Sequence, residues 1–330
     1  MTGHRRCASR LPAALLAPLL LLGGVVQPGA STLGAQEPAS ALEERISTRL
    51  DALDATSAVW ARHLPTGRTV AIRADRPMNA LSVIKIAALV RAHQLAEAGR
   101  LDLGERVEVA EADLRGGSGL LRTFQPGVRP TFADLLEQMI ITSDNTATDL
   151  VLEAVPVEDV NHMLDSLGYP ETRFRTSTGE LFRDLAAAFE GARREEGEAF
   201  DPSAATFAFE GDSTAWLGRT TARETGRFLQ ELEEGRFAGP AATQAVHETL
   251  ARQFYRSRLP RFLGDEVLME HKTGDWPPHA GNDVGILRYD GGPVVVAAFV
   301  TQSRGSFLEV ERTLGWIAQE LVRAWGGPGG

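Results

Sequence analysis

Only Lys85 and Lys272 are lysines in a chain whose lysines and arginines together number 34; arginine supplies every other fixed positive charge. Arginine keeps its proton at ordinary pH, whereas lysine releases one when burial or a neighbouring cation disfavours its charge. Lys85 follows Ser82 by three positions in Leu81-Ser82-Val83-Ile84-Lys85-Ile86-Ala87-Ala88-Leu89. Positions i and i+3 share a helix face, so the amine can reach the hydroxyl. The apolar neighbours desolvate that amine and favour its neutral form. A serine beside a neutral amine is a nucleophile beside its base, suited to attack on an acyl carbonyl. The plain alternative is a serine-capped helix start with its lysine reaching out to solvent.

Two further stretches extend the set. Ser143-Asp144-Asn145 follows an amphipathic run, and His271-Lys272-Thr273-Gly274 holds the second lysine. Taken singly, the first is an Asx-type turn between helices and the second a strand end with its turn glycine. Taken together, they place both lysines of the chain inside three short hydroxyl-rich motifs. His63, His93, His162, His247, His271 and His279 stand apart with no metal-ligand spacing. No metal or cofactor is expected.

The elements that must position these residues follow from periodicity. Leu42, Ile46, Leu50 and Leu53 predict a helix over 39–53. Residues 57–64 and 68–73 read as strands joined by Pro65-Thr66-Gly67. Ser82 then falls at a helix N-terminus, where free N–H groups and the helix dipole favour developing negative charge. That helix stops near Gly99. Loop follows to Leu121, and helices are expected over 132–142, 147–154 and 157–167. Residues 169–216 carry no clear period. Helices are expected again over 220–234 and 241–254, then strands over 267–273, 282–289 and 293–301, with Gly291-Gly292 as a turn. A final helix covers 307–325. The ends of the chain thus supply a sheet and its flanking helices, about 39–80 and 240–326, and the middle, about 82–235, supplies helix.

Composition narrows the function. Apolar residues at 43% and charged residues at 24% are the balance of a globular protein rather than a disordered one. A net charge of −10, with no basic stripe, excludes nucleic-acid binding. Residues 1–35 have a basic start at His4, Arg5 and Arg6, an apolar run from Leu11 to Val26 and a small-residue end, the pattern of an export signal. A retained N-terminal anchor is the alternative. Cys7 lies inside that segment, so the remainder, 36–330, has no thiol for disulfide or thiolate chemistry. The expected product is an exported monomer, periplasmic or extracellular, with no stable membrane association.

Ser82-Val83-Ile84-Lys85, Ser143-Asp144-Asn145 and Lys272-Thr273-Gly274 in this order resemble the signature of class A β-lactamases and penicillin-binding proteins. The resemblance spans about Ala39 to Trp325. It implies an α+β fold: an antiparallel five-stranded sheet with helices, packed on an all-helical subdomain, with the site at their junction. It implies a small-molecule β-lactam or a peptidoglycan-like acyl substrate. Ser82 would form the acyl-enzyme, Lys85 would act as base or relay, and Ser143 would hand the proton to the leaving nitrogen. Lys272 would stay charged and, with Thr273, hold the substrate carboxylate, while Asn145 would bind the substrate amide. The backbone N–H groups of Ser82 and Asp275, after Gly274, would form the oxyanion hole. Asp144 would be structural.

One stretch departs from the family. Class A enzymes deacylate with water activated by a glutamate in a loop after the Ser-Asp-Asn motif. In Thr172-Arg173-Phe174-Arg175-Thr176-Ser177-Thr178-Gly179-Glu180-Leu181-Phe182, Thr178 takes that place and Phe182 takes the place of the water-holding asparagine. Glu180 is the candidate replacement, with Glu171 behind it. Gly117, where the family often has an aromatic residue, suggests an open entrance. Three readings follow: a β-lactamase with altered deacylation, a D-Ala-D-Ala peptidase or esterase, and a protein that is acylated by β-lactams and stays acylated.

Overall fold

The computed structural model describes residues 39–327, and the expected export segment lies outside them. Helix α1 (Ala39–Asp51) precedes β1 (Thr56–His63) and β2 (Thr69–Ile72). Strand β3 (Met78–Asn79) leads into a 3₁₀ turn, Leu81–Ile84, which runs directly into α2 (Lys85–Glu97). Then come α3 (Phe132–Ile141), α4 (Asn145–Ala154), α5 (Val157–Ser166) and β4 (Arg173–Phe174). Next are α6 (Thr178–Glu196), α7 (Pro202–Gly211), β5 (Gly218–Thr220) and α8 (Ala222–Glu233). The order ends with α9 (Pro240–Ala251), β6 (Leu268–Trp276), β7 (Ala280–Arg288), β8 (Val294–Thr301) and α10 (Phe307–Ala324). Among the described residues no helix is long and apolar enough to cross a membrane.

The five-stranded antiparallel sheet has the order β2-β1-β8-β7-β6. Strand β8, Val-Val-Val-Ala-Ala-Phe-Val-Thr, is buried along its whole length. A central strand covered on both faces requires such an unbroken apolar run. Alternation along the strands divides the core into two layers. Val59, Ala61, Val296 and Ala298 pack with Leu42 and Ile46 of α1 and Leu314 and Ile317 of α10. Trp60, Val295, Ala297 and Phe299 share the other layer with Leu89 of α2 and Leu229 of α8. The expected five-stranded sheet with flanking helices is therefore present.

The middle of the chain is not all helix, as the sequence suggested. A second antiparallel sheet, β3-β5-β4, joins the strand before Ser82 to segments near 173 and 218. Its strands are two or three residues long, too short for an alternation signal. Helix α8, expected in the helical part, packs on β1 and β8. Residues 169–216 are chiefly α6 and α7, and β6 runs on past Thr273 to Trp276.

Candidate active site

The backbone ahead of Ser82 is held from several sides. Leu81 has φ +47°, a conformation that costs a non-glycine residue energy and persists only where its surroundings enforce it. Its N–H donates to Asn79 Oδ1 at 3.1 Å, while Asn79 O accepts from Asn282 Nδ2 at 2.9 Å. The Ala80 N–H donates to Gly218 O at 2.8 Å. Ser82 therefore starts a tethered turn and opens, partly exposed, onto a cleft of about 540 Å³. First-turn N–H groups have no partner within the helix, which leaves the Ser82 N–H suited to an oxyanion.

Lys85 is fully buried. Its Nζ donates to Ser143 O at 2.9 Å and Asn145 Oδ1 at 3.0 Å, and stands 3.5 Å from Ser143 Oγ. Desolvation pulls its pKa down to about 7, against the pull of Asp144, Asp149 and Asp275 in the other direction. The structure thus brings Lys85, Ser143 and Asn145 together. Ser82 is not among the hydrogen-bond partners of the amine, which is turned toward the Ser-Asp-Asn corner. That corner is the sharp joint between α3 and α4, with Ser143 at φ +57°. Asp144 caps α4 through Ala147 N at 2.9 Å and accepts from Leu120 N and Leu121 N at 2.6 and 2.7 Å. Its oxygens hold backbone, as the sequence suggested.

Strand β6 approaches from the sheet side. A Cβ at Gly274 would lie 3.0 Å from Ala80 O and 3.0 Å from Leu81 Cβ. The motif glycine thus permits β6 to lie against the turn that carries Ser82. β6 is an edge strand, so backbone groups on its outer side pair with no further strand. Lys272, fully buried, donates to Thr273 O at 2.8 Å. Burial and then the charge of Lys85 drive its pKa well below the ordinary lysine value. Thr273 Oγ1 is buried with no hydrogen-bond partner.

Arg258 completes this corner, and sequence reasoning missed it. It is 2% exposed, lines the cleft and forms an ion pair with Asp275. Nothing in Tyr255-Arg256-Ser257-Arg258-Leu259 sets it apart in an arginine-rich chain.

Helix α6 forms the opposite wall. Thr178 N and Oγ1 donate to Asp149 Oδ1 at 2.8 and 2.7 Å, and Gly179 N donates to Asp149 Oδ2 at 2.9 Å. Arg115 Nε pairs with the same carboxylate at 2.7 Å. Glu180 is turned away from the cleft. Its carboxylate receives Thr176 Oγ1 at 2.7 Å and Ser177 N at 3.1 Å as part of the helix capping box, and these bonds hold its pKa low. Glu171 pairs with Arg219 at 3.3 Å and does not line the cleft. Gly117 does not leave an open entrance: a Cβ there would lie 2.9 Å from the Phe182 ring and 2.8 Å from Asn145 Nδ2.

Away from the cleft, Glu233, His247 and Glu270 bring three ligand atoms within 4.8 Å of one another, a grouping their spacing did not reveal. Arg288 donates to both glutamates there. Its guanidinium neutralises the charge that would attract a cation.

Comparison with known proteins places this fold and cleft in a family. The model of the β-lactamase enzyme family matches residues 41–325, and the chain belongs to that family. It is 27% identical over 268 residues to the β-lactamase regulatory protein BlaB of Streptomyces cacaoi, covering 76% of this chain and 85% of that one. The extended-spectrum β-lactamase PER-1 of Pseudomonas aeruginosa is 26% identical over 257 residues, 74% and 73% of the two chains. A β-lactamase structure from Sphaerobacter thermophilus superposes with a TM-score of 0.73 at 24% identity, covering 88% and 98%. A mutant of PBP-A, described as an acyl-enzyme complex with penicillin G, gives 0.71 at 18% identity, covering 88% and 98%.

Proposed function

We propose that residues 36–330 form an exported serine acyl enzyme that opens β-lactams through an ester on Ser82 and releases the acyl group slowly. The observation that carries this reading is Lys85: a buried amine, with a pKa brought to about 7, bonded to Ser143 and Asn145 one helical turn from Ser82. Ser82 Oγ adds to the lactam carbonyl as its proton passes to the neutral Lys85 amine. The Ser82 and Asp275 N–H groups receive the oxyanion. The C–N bond then breaks, and the proton returns through Ser143 Oγ to the departing nitrogen. Asn145, Thr273 and Lys272 hold the substrate.

Slow release is supported by Thr178 and Glu180. The first spends its hydroxyl on Asp149, and the second is locked in a helix cap. A general base must stand within hydrogen-bond reach of the attacking water. The same observation favours a second reading, in which the protein turns over a peptidoglycan-like peptide or ester and β-lactams merely trap it. A fluorescent penicillin tests the common core. It is expected to label the purified chain and to leave the Ser82→Ala variant unlabelled; label on that variant, or none on the wild type, contradicts the proposal.

A further inference from the structure

We propose that the lip of the cleft beside Ser143 is a docking surface for the remote part of a long anionic acyl donor, a glycan strand carrying short peptides with free carboxylates. The proposal rests on the second reading above, in which Ser82 is acylated by a peptidoglycan-like donor. It leaves β-lactam acylation as described, since a small β-lactam needs only the cleft.

Two turns meet at the joint between α3 and α4. On one side the Phe254 N–H donates to Ile141 O at 3.0 Å, and the Tyr255 hydroxyl donates to Thr142 O at 3.3 Å. On the other, Leu120 N and Leu121 N donate to Asp144 Oδ2. Three large apolar side chains stand in solvent on these turns: Phe254 is 73% exposed, Phe124 51% and Leu120 50%. Exposed apolar residues scattered singly are ordinary, but three on turns fastened to one four-residue joint form a patch. Neither turn is a loose tip. Gln253 is buried, its side chain donating to Ile140 O at 2.9 Å and accepting from Tyr255 N at 3.2 Å. Leu121 is buried too, and Thr123 N and Phe124 N close the other turn on Leu120 O and Leu121 O at 2.8 and 3.1 Å. The rings are presented by fixed backbone, which lowers the ordering cost of binding.

Charge selects the occupant. The chain carries a net charge of −10, yet Arg122 and Arg256 stand exposed on these same turns with no carboxylate partner among the described residues. Arg252 beside them is paired with Glu137 at 2.9 Å. Apolar faces flanked by unpaired guanidiniums suit a partner that offers apolar ring or methyl surface together with carboxylates. The patch is also continuous with the cleft, because Ser118 and Tyr255 line that cleft with Ser82. A long donor whose carbonyl sits at Ser82 can therefore leave over this lip, whereas a separate macromolecule seated there would cover the entrance its substrate needs. Contacts to a remote segment of this kind favour acylation by long donors over short ones.

The test is co-sedimentation of the purified chain with insoluble peptidoglycan sacculi, run beside labelling of Ser82 by a fluorescent penicillin. The wild type and Ser82→Ala are both expected to pellet, and raised salt is expected to release them. Phe254→Ser and Arg256→Glu, two independent surface changes, should each reduce the pelleted fraction about fivefold or more while penicillin labelling keeps its wild-type rate. Wild type left in the supernatant, or variants that pellet as it does, overturns the inference and leaves the nucleophile assignment standing. Pelleting lost in Ser82→Ala also overturns it, since retention would then come from the ester and not from the lip. Dimerisation of the wild type that both variants abolish, without retention on sacculi, assigns the patch to a second copy and overturns it as well. Absence of label on the wild type removes the Ser82 reading and the inference with it.

Discussion

Lys85 shows why lysine, and not arginine, stands at this one place. It is completely buried, and burial brings its pKa to about 7, so a free amine is available at neutral pH. Only the deprotonated amine can take the serine proton. Acylation of Ser82 should therefore climb about tenfold per pH unit below about pH 7 and level off above it, as a single-base titration does. A rate that falls as pH rises through that range, in stopped-flow acylation, would contradict Lys85 as the base. The scarcity of lysine made both lysines legible in the sequence. Arg258 was not legible for the converse reason: its type is everywhere, and only its 2% exposure and its partner distinguish it. Glu180 was misjudged because matching along a loop gives order and not direction; a helix starts at Thr178 and turns that side chain into its own cap.

At the scale of elements, helices whose apolar stripe faces the core were visible as periodicity. Phe132, Leu135, Leu136, Met139 and Ile140 of α3 are all buried. Helices α6 and α7 were invisible because α6 buries only Thr178, Gly179 and Leu181 and α7 only Phe209 and Glu210, so neither shows a stripe. Glu210 is what fixes α7. It accepts from Asn79 Nδ2 at 3.3 Å and from Gln302 N and Nε2 at 3.0 and 2.6 Å, while Asn79 also holds Leu81. Glu210→Ala leaves these buried donors unmatched and should cost about 1–3 kcal/mol of stability in urea unfolding. It should also slow acylation, since the turn before Ser82 loses a support. Unaltered stability and rate would mean that α7 is only apposed to the site.

Across the whole molecule, the strands of the large sheet and its flanking helices were readable from periodicity and turn residues, whereas the small β3-β5-β4 sheet was not. Its pairing joins residues far apart in sequence through strands with no period of their own. The buried lysines have a global consequence. In the unfolded chain a lysine keeps its proton to about pH 10.4. Folded Lys85 releases its proton near 7, and Lys272 is shifted in the same direction. Between these limits the unfolded state binds more protons, so unfolding free energy should rise with pH, by up to about 1.4 kcal/mol per pH unit for each lysine. Urea midpoints compared at about pH 7.5 and 9 should increase for the wild type. The increase should be smaller for Lys85→Met, and an equal increase in both would deny Lys85 its buried, neutral state.

The most direct measurement of the central claim is intact-protein mass spectrometry of the chain mixed with benzylpenicillin, followed over time with hydrolysed product assayed in parallel. The account predicts a one-to-one adduct that depends on Ser82 and outlasts the mixing period while little product accumulates. An adduct that survives the Ser82→Ala substitution would contradict the nucleophile. Rapid product release with no lasting adduct would contradict slow deacylation and show that a base other than Thr178 or Glu180 serves the attacking water.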